Sequence, residues 1–485
     1  MSVKLNESGA YPFPINLEMY RQQRQRLSKS LREHYTKGGH AALLKASSEV
    51  PINSTDCNYL FVQESYFNYL FGIDMPDAYG AVLTDGTGII FIPRLPAQYA
   101  TWMGPLPTPA LVKQSTAVDE VHYVDEMAKV LHDKDVHTVE VLKGVNSDSG
   151  LAVLTASSPC PELEVEDAWL FTRLSNQRAL KTPLEVEVLK YVCKVSSDAH
   201  IKVMQMCRPT ISQHNLESTF LHEVYSKGGC RRVSYTCICA TGHYGSILHY
   251  PHNDKPIEDG SMALLDMGGN YRGYAADITC SFPVNGRFSE PQKAIYNAVL
   301  EAHDRVLRAI KPGVSWVYLH QLAIRTTCTH LVQIGLLRGD VDELMEKEVM
   351  QYFQPHGLGH LLGLDVHDVG SYLEDCPPRP TRKDCCRLRT ARVLEAGLYI
   401  TVEPGCYFNE ALMQELLSND ALKFLVNEDK LNEYRDFGGV RIESDVLVTE
   451  NGAVNYTCVP RTVDEIESTM AGKPFSKNIE VYYNI

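Results

Sequence analysis

At 485 residues the chain is too long for one ordinary core, which sets the expectation of two or three domains. Its 44% hydrophobic and 22% charged residues are globular values, and a formal net charge of −14 excludes generic nucleic-acid binding, which asks for a basic surface. No run of about eighteen uninterrupted apolar residues is present to cross a membrane.

The opening Met1–Pro14 lacks the apolar run of a secretory signal, so a cytoplasmic protein is expected. The fourteen cysteines show no small-domain spacing and read as free thiols of a reducing compartment. Asn16 to about His34 reads as an amphipathic helix with Arg21, Arg24, Arg26, Lys29 and Arg32 on its wet face. From Ala41 to about Pro161 the pattern alternates. Strand, Asp85-Gly86 turn and strand occupy Ala78–Ile92, Asp125 caps a short helix through Leu131, and Val136–Val141 alternates like a further strand. An α/β domain over 1–165 is expected, then a linker over 166–182.

Thr182-Pro183-Leu184-Glu185 is a helix start, with an N-cap, a first-turn proline and a glutamate placed to close a capping box. Apolar residues then repeat at helical spacing until Arg208-Pro209. Two more helices are expected at about 291–310 and 317–336, with strand-like runs at 234–240, 262–282, 397–403 and 439–448. Helices and antiparallel strands segregated in this way give an α+β domain over 183–485.

The run Ala263–Phe282 reads as a hairpin around Gly268-Gly269-Asn270-Tyr271-Arg272-Gly273. With the turn centred between Tyr271 and Arg272, Asp266 is expected directly opposite Asp277, a like-charge pair that weakens a sheet unless a cation joins it. Three later stretches carry similar groups at glycine turns or strand ends: Pro355–Gly370 with His356, His360 and His367, Leu398–Gly405 with Glu403, and Gly438–Val448 with Arg441 and Glu443 on one face of a strand. Taken together, Asp266, Asp277, His360, Glu403 and Glu443 supply four carboxylates and one imidazole. An apolar surround tolerates that many acids only if divalent ions neutralise them, and four carboxylates approximately cancel two such ions.

The order and spacing of those five residues resemble the pita-bread metallopeptidases, the group of methionine aminopeptidase, aminopeptidase P, prolidase and creatinase. The chain is most similar to the Xaa-Pro dipeptidase branch, in runs of both domains that include Phe91–Ala97, Ala100–Gly104, Ser234–Cys239, Leu248–Tyr250, Pro355–Gly370, Leu388–Arg392 and Thr457–Val463. The resemblance implies a pita-bread catalytic domain behind an α/β, creatinase-like N-terminal domain. It also implies hydrolysis of dipeptides ending in proline or hydroxyproline, with two Mn²⁺ per subunit and Zn²⁺, Co²⁺ or Fe²⁺ as substitutes. By the same resemblance Asp277 and Glu443 bridge the ions, Asp266 completes one, and His360 with Glu403 the other. Glu403, His367 and His356 are assigned to catalysis, and His249, Arg389, Tyr235, Arg441 and Trp102 to the substrate. Trp102 of the N-terminal domain reaches the site of a second copy in similar proteins and limits substrate length there, which implies a homodimer. Neither nucleic acid nor membrane is expected as a partner.

Overall fold

In the computed structural model of the chain, which describes residues 12–36, 38–156 and 160–483, two units divide between Val188 and Leu189. The first is built on six strands, β1 (His40–Lys45), β2 (Tyr79–Leu83), β3 (Gly88–Ile92), β4 (Glu120–Tyr123), β5 (Thr138–Val141) and β6 (Glu164–Glu166), in the order β4-β3-β2-β1-β5-β6. The Asp85-Gly86 turn sets β2 antiparallel to β3, with Val82 opposite Gly88. The β3–β4, β1–β5 and β5–β6 pairs are parallel, which a tight hairpin cannot connect. Helices Pro109–Ser115 and Met127–Asp133 accordingly precede β4 and β5. Leu43, Ala81, Ile89, Phe91 and Val139 pack with Met127 and Leu131 in the core.

Three expectations change in this unit. Asp125 does not cap helix Met127–Asp133, whose N-cap is Glu126; the Asp125 carboxylate accepts from Arg94 Nε at 2.8 Å instead. Helix Glu18–His34 forms, but Arg24 is not on its wet face: it is buried, and its guanidinium donates to the carbonyls of Leu70, at 2.7 Å, and Ala117. Burial lowers its pKa to about 10, yet two carbonyl acceptors make the buried charge tolerable. The stretch 166–182 carries helix Leu170–Ala179, with Leu170 and Leu174 buried, so it packs where a linker was expected. The secretory-signal reading rests on Met1–Pro14, of which residues 1–11 lie outside the described residues.

The second unit has the strands β7 (Arg232–Val233), β8 (Ile238–Thr241), β9 (Met262–Asp266), β10 (Gly269–Tyr271), β11 (Tyr274–Ala275), β12 (Thr279–Pro283), β13 (Tyr399–Val402), β14 (Gly405–Tyr407), β15 (Gly439–Arg441), β16 (Ser444–Thr449), β17 (Gly452–Asn455) and β18 (Glu480–Tyr483). They pair antiparallel as β12-β9-β8, β11-β10-β7, β13-β16-β17-β18 and β14-β15. Helices Glu290–Ala309 and Trp316–Gln333 pack on each other, and the first also lies against β13, β14, β15, β17 and β18. Helix Pro183–Met206 starts on the expected capping box: Thr182 N–H donates to Glu185 Oε2 at 2.9 Å and Glu185 N–H to Thr182 Oγ1 at 3.3 Å.

The hairpin register is shifted from expectation. Tyr271 pairs with Tyr274, so the turn consists of Arg272 and Gly273, with φ of 56° and 98°. Positive φ at both positions is the signature of a type I′ turn, whose twist matches the strands it joins. The turn therefore lies one residue later than the glycine pattern suggested, and Asp266 faces Thr279 instead of Asp277. Asp277 becomes the diagonal neighbour, two residues away and on the same face. The run 439–448 is likewise not one strand. It breaks at Ile442-Glu443, β15 pairing with β14 and β16 with β13, which leaves Glu443 at the junction of two sheets.

Candidate metal centre

Four segments distant in sequence bring acids and an imidazole together in the second unit. Asp266 ends β9, and Asp277 lies between β11 and β12. Residues 358–362 run beside β13: Glu403 N–H donates to Leu358 O at 2.8 Å, Thr401 N–H to His360 O at 2.9 Å and Leu362 N–H to Tyr399 O at 3.0 Å. A Cβ at Gly359 would stand 2.1 Å from the Thr401 carbonyl oxygen, so only glycine lets this segment approach. Glu403 follows β13 directly. Ligand atoms of buried Asp277, His360 and Glu443 all lie within 4.8 Å of one another. Asp266 joins them through Tyr235, whose hydroxyl contacts Oδ1 of both Asp266 and Asp277, and Glu403 through its Oε1, 3.5 Å from His360 Nε2. The phenol has one proton for two acceptors, which leaves the aspartates short of donors.

The geometry of His360 indicates what the cluster is suited to hold. Its Nδ1 lies 3.0 Å from the Leu361 carbonyl, which only accepts, so the hydrogen-bond geometry assigns the proton of the neutral ring to Nδ1. Nε2 then turns a lone pair toward Asp277 Oδ2 at 3.3 Å and Glu403 Oε1 at 3.5 Å. With the carboxyls ionised, acceptor faces acceptor, an arrangement that a cation resolves. Burial lowers the pKa of His360, which disfavours a proton as the alternative. Burial first, and Asp266 second, push Asp277 well above the usual carboxylate range, and burial with Asp277 and Glu403 does the same to Glu443. Burial lifts Glu403 to about 7, Asp277 and Asp266 reinforcing the shift while His360 and Arg441 oppose it. Four carboxylates and one imidazole fit hard or borderline divalent ions such as Mn²⁺, Zn²⁺, Co²⁺ or Fe²⁺, whose charge favours the ionised acids.

The groups around the acids are themselves ordered. Buried Arg441 donates through Nη2 to Asp266 Oδ2 at 2.7 Å, through Nη1 to the Tyr407 hydroxyl at 2.8 Å and through Nε to Thr279 Oγ1 at 3.1 Å. Thr279 Oγ1 donates in turn to Glu443 Oε2 at 2.7 Å. Thr401 Oγ1 accepts the His360 N–H at 3.0 Å and donates to Glu403 Oε1 at 3.3 Å. Buried Asp445 accepts the Asp277 N–H at 3.2 Å. Both nitrogens of His356 are engaged, Nδ1 by the Gly357 carbonyl at 2.7 Å and Nε2 by the Tyr407 hydroxyl at 2.8 Å.

His367 is half-buried, its ring 4.5 Å from that of His360, and burial, then His360, Arg389 and His249, bring its pKa to about 2. It is therefore a neutral imidazole. His249 is partly exposed, and partial burial of its ring, then Arg441 and Arg389, lowers its pKa. His249, His367 and half-buried Arg389 thus lie within electrostatic reach of one another. Trp102 belongs to the first unit and is 82% exposed. Sequence reasoning missed Thr279, Thr401, Tyr407 and Asp445. The threonines had a signal, since each lies two residues from one of the acids. Asp445, two residues after Glu443, had the same signal, and Tyr407 had none.

Comparison with known proteins agrees with this geometry. Residues 187–450 match metallopeptidase family M24 and residues 20–139 the aminopeptidase P N-terminal domain. The Xaa-Pro dipeptidase of Rattus norvegicus is 44% identical over 471 residues, covering 96% of this chain and 96% of that protein, and the Homo sapiens Xaa-Pro dipeptidase is 44% identical over 96% of this chain and 95% of its own. Among solved structures, zinc-substituted E. coli aminopeptidase P in complex with product has a TM-score of 0.76 at 30% identity, covering 94% of this chain and 99% of that one. An aminopeptidase P N-terminal domain followed by a pita-bread domain accounts for the two units, and the chain belongs to metallopeptidase family M24.

Proposed function

We propose that the chain is a metal-dependent Xaa-Pro dipeptidase that releases proline or hydroxyproline from the C-terminus of dipeptides. The observation that carries this reading is His360 Nε2 facing Asp277 and Glu403 in a buried cluster with Glu443, in a chain whose relatives at 44% identity are Xaa-Pro dipeptidases. Asp266, Asp277, His360, Glu403 and Glu443 would hold two divalent ions, Mn²⁺ by preference, which supply a polarising charge for the scissile carbonyl and lower the pKa of water. A site that holds its substrate this way suits proline, since the Xaa-Pro amide has no N–H for a protease to grip.

The chain's own residues divide the remaining work. Glu403 exchanges a proton at its carboxylate, taking it from the attacking water and passing it to the leaving nitrogen. His367, kept neutral, offers an N–H to the oxygen that gains charge in the tetrahedral state. Arg389, with His249 beside it, pairs with the C-terminal carboxylate of the dipeptide, and Tyr235 lines the pocket. The committed donors of Arg441 support a positioning part, holding Asp266 and Tyr407, and the two engaged nitrogens of His356 support the same. We extend the proposal to a cytosolic homodimer. Fourteen free cysteines and the exposed Trp102 support those two points.

Proline release from Gly-Pro by the Mn²⁺-loaded protein tests the proposal, with Asp277→Asn as the variant. We expect that substitution to cost more than the ~10–100-fold typical of residues that only orient a ligand, with less metal in the purified protein. Wild-type turnover at full metal content would overturn the assignment of Asp277. Aminopeptidase P-type action on longer peptides is separated by comparing Gly-Pro with Gly-Pro-Ala. The wild type should prefer the dipeptide, and Arg389→Ala should lose that preference.

A further inference from the structure

Behind the carboxylates lies a second set of buried polar groups that the proposed reaction does not use. Arg461, just before helix Val463–Met470, is 5% exposed. Its Nη1 donates to the Thr279 carbonyl at 2.8 Å, and its Nη2 to the Glu443 carbonyl and to Ser444 Oγ at 3.1 Å. The same Thr279 carbonyl accepts the Glu443 N–H at 3.2 Å. One planar guanidinium thus ties the peptide that follows Glu443 to the strand that follows Asp277. A lysine ammonium keeps the charge at this position but lacks the fixed fork that spans two carbonyls.

The orientation of Arg461 is itself prescribed. A guanidinium only donates, so Ser444 Oγ accepts from it, and at the far end the Asp304 carboxylate only accepts, which puts the proton of neutral, buried His303 on Nδ1 and leaves Nε2, 3.0 Å from Ser444 Oγ, to take the hydroxyl proton. His303 Nδ1 lies 3.4 Å from Asp304 Oδ1. The series from Arg461 through Ser444 and His303 to Asp304 is directed by its two ends, a guanidinium that only donates and a carboxylate that only accepts. Its outer end is anchored on helix Glu290–Ala309.

We propose that Arg461 is a positioning residue for the cation centre: oriented through Ser444 and His303, it fixes Glu443 against β12 so that Glu443 and Asp277 keep the spacing that divalent ions require. This rests on the reading of the acidic cluster as a cation centre. Neither Arg461 nor Ser444 touches substrate or reacting atoms in that reading.

The test is Mn²⁺ titration of the metal-stripped full chain by calorimetry, with Mn²⁺ electron paramagnetic resonance to separate paired from single ions and circular dichroism to check the fold. Wild type, Arg461→Lys, Ser444→Ala and the double variant are compared. Arg461→Lys should bind Mn²⁺ about 10–100-fold more weakly and lose the paired-ion signal while keeping the wild-type dichroism. Ser444→Ala should weaken binding roughly 3–10-fold, the effect of one hydrogen bond. The double variant should be no weaker than Arg461→Lys, because the serine acts through the arginine. A folded Arg461→Lys with wild-type affinity and paired signal overturns the proposal, as does strict additivity in the double variant. Should Arg461→Lys fail to fold, Ser444→Ala decides alone: weakened binding supports the proposal and unchanged binding overturns it. A wild type that binds no Mn²⁺ defeats the cation-centre reading and this one with it, whereas normal binding in every variant defeats only the role of Arg461.

Discussion

Glu403 is drawn in opposite directions by its surroundings, and the balance predicts how the centre loads. With its pKa lifted to about 7 by burial, this carboxyl is half-protonated at neutral pH in the ion-free protein. A cation displaces that proton on binding, so affinity falls as pH drops through about 7. One displaced proton makes Mn²⁺ binding roughly tenfold weaker at about pH 6 than at about pH 8. Asp277 and Glu443, raised in the same direction, steepen the dependence, and His360, held down by burial, adds no competing proton there. Calorimetry at the two pH values checks this, and a flat profile would rule out Glu403 as a group in contact with the ions. The five residue types and their order were legible in the sequence. The tautomer of His360 was not, because it depends on the Leu361 carbonyl, a backbone group with no letter of its own.

Elements, more than single residues, decide whether those side chains meet. Glycine at 359 lets the 358–362 segment approach β13, and Gly359→Ala would drive a methyl into the Thr401 carbonyl. Backbone must then shift, so we expect a loss of about 1–3 kcal/mol or more, with His360 displaced and Mn²⁺ binding weakened. A thermal melt of the metal-free chain reads the first effect and calorimetry the second; an unchanged melting temperature would mean that the segment is free to move. The hairpin shows where pattern reading reaches its limit at this scale. The glycine pattern centred the turn between Tyr271 and Arg272, but the chain turns one residue later, at Arg272-Gly273, with a positive φ at an arginine that composition alone does not single out. The break at Ile442-Glu443 was equally hidden, since Val440 to Glu443 alternates as a strand does and an apolar run follows at Val446 to Val448. Pairing with two different sheets, a tertiary choice, creates the break.

For the molecule as a whole, the α/β-then-α+β order was readable from turn signals and helix caps. The point of division was not. Helix Leu170–Ala179 packs with the first unit because Leu170 and Leu174 are buried, which local composition does not reveal. The proposed homodimer is checked by sedimentation velocity. The wild type should sediment as two copies, and Trp102→Ala should narrow the discrimination between Gly-Pro and Gly-Pro-Ala while leaving each chain folded. A monomer with wild-type discrimination would remove Trp102 from the account.

The contact between Thr279 and Glu443 joins residues 164 positions apart. Closing so long a loop costs entropy before any ligand contact repays it, and the costs are met by helices and sheets that already need both ends of the second unit. A polypeptide still leaving the ribosome therefore owns its first two aspartates long before the glutamate that completes them. On the proposed reading, a translation product ending ahead of Glu443 would lack one of the five ligands, so loading with a pair of ions would wait for nearly the whole chain.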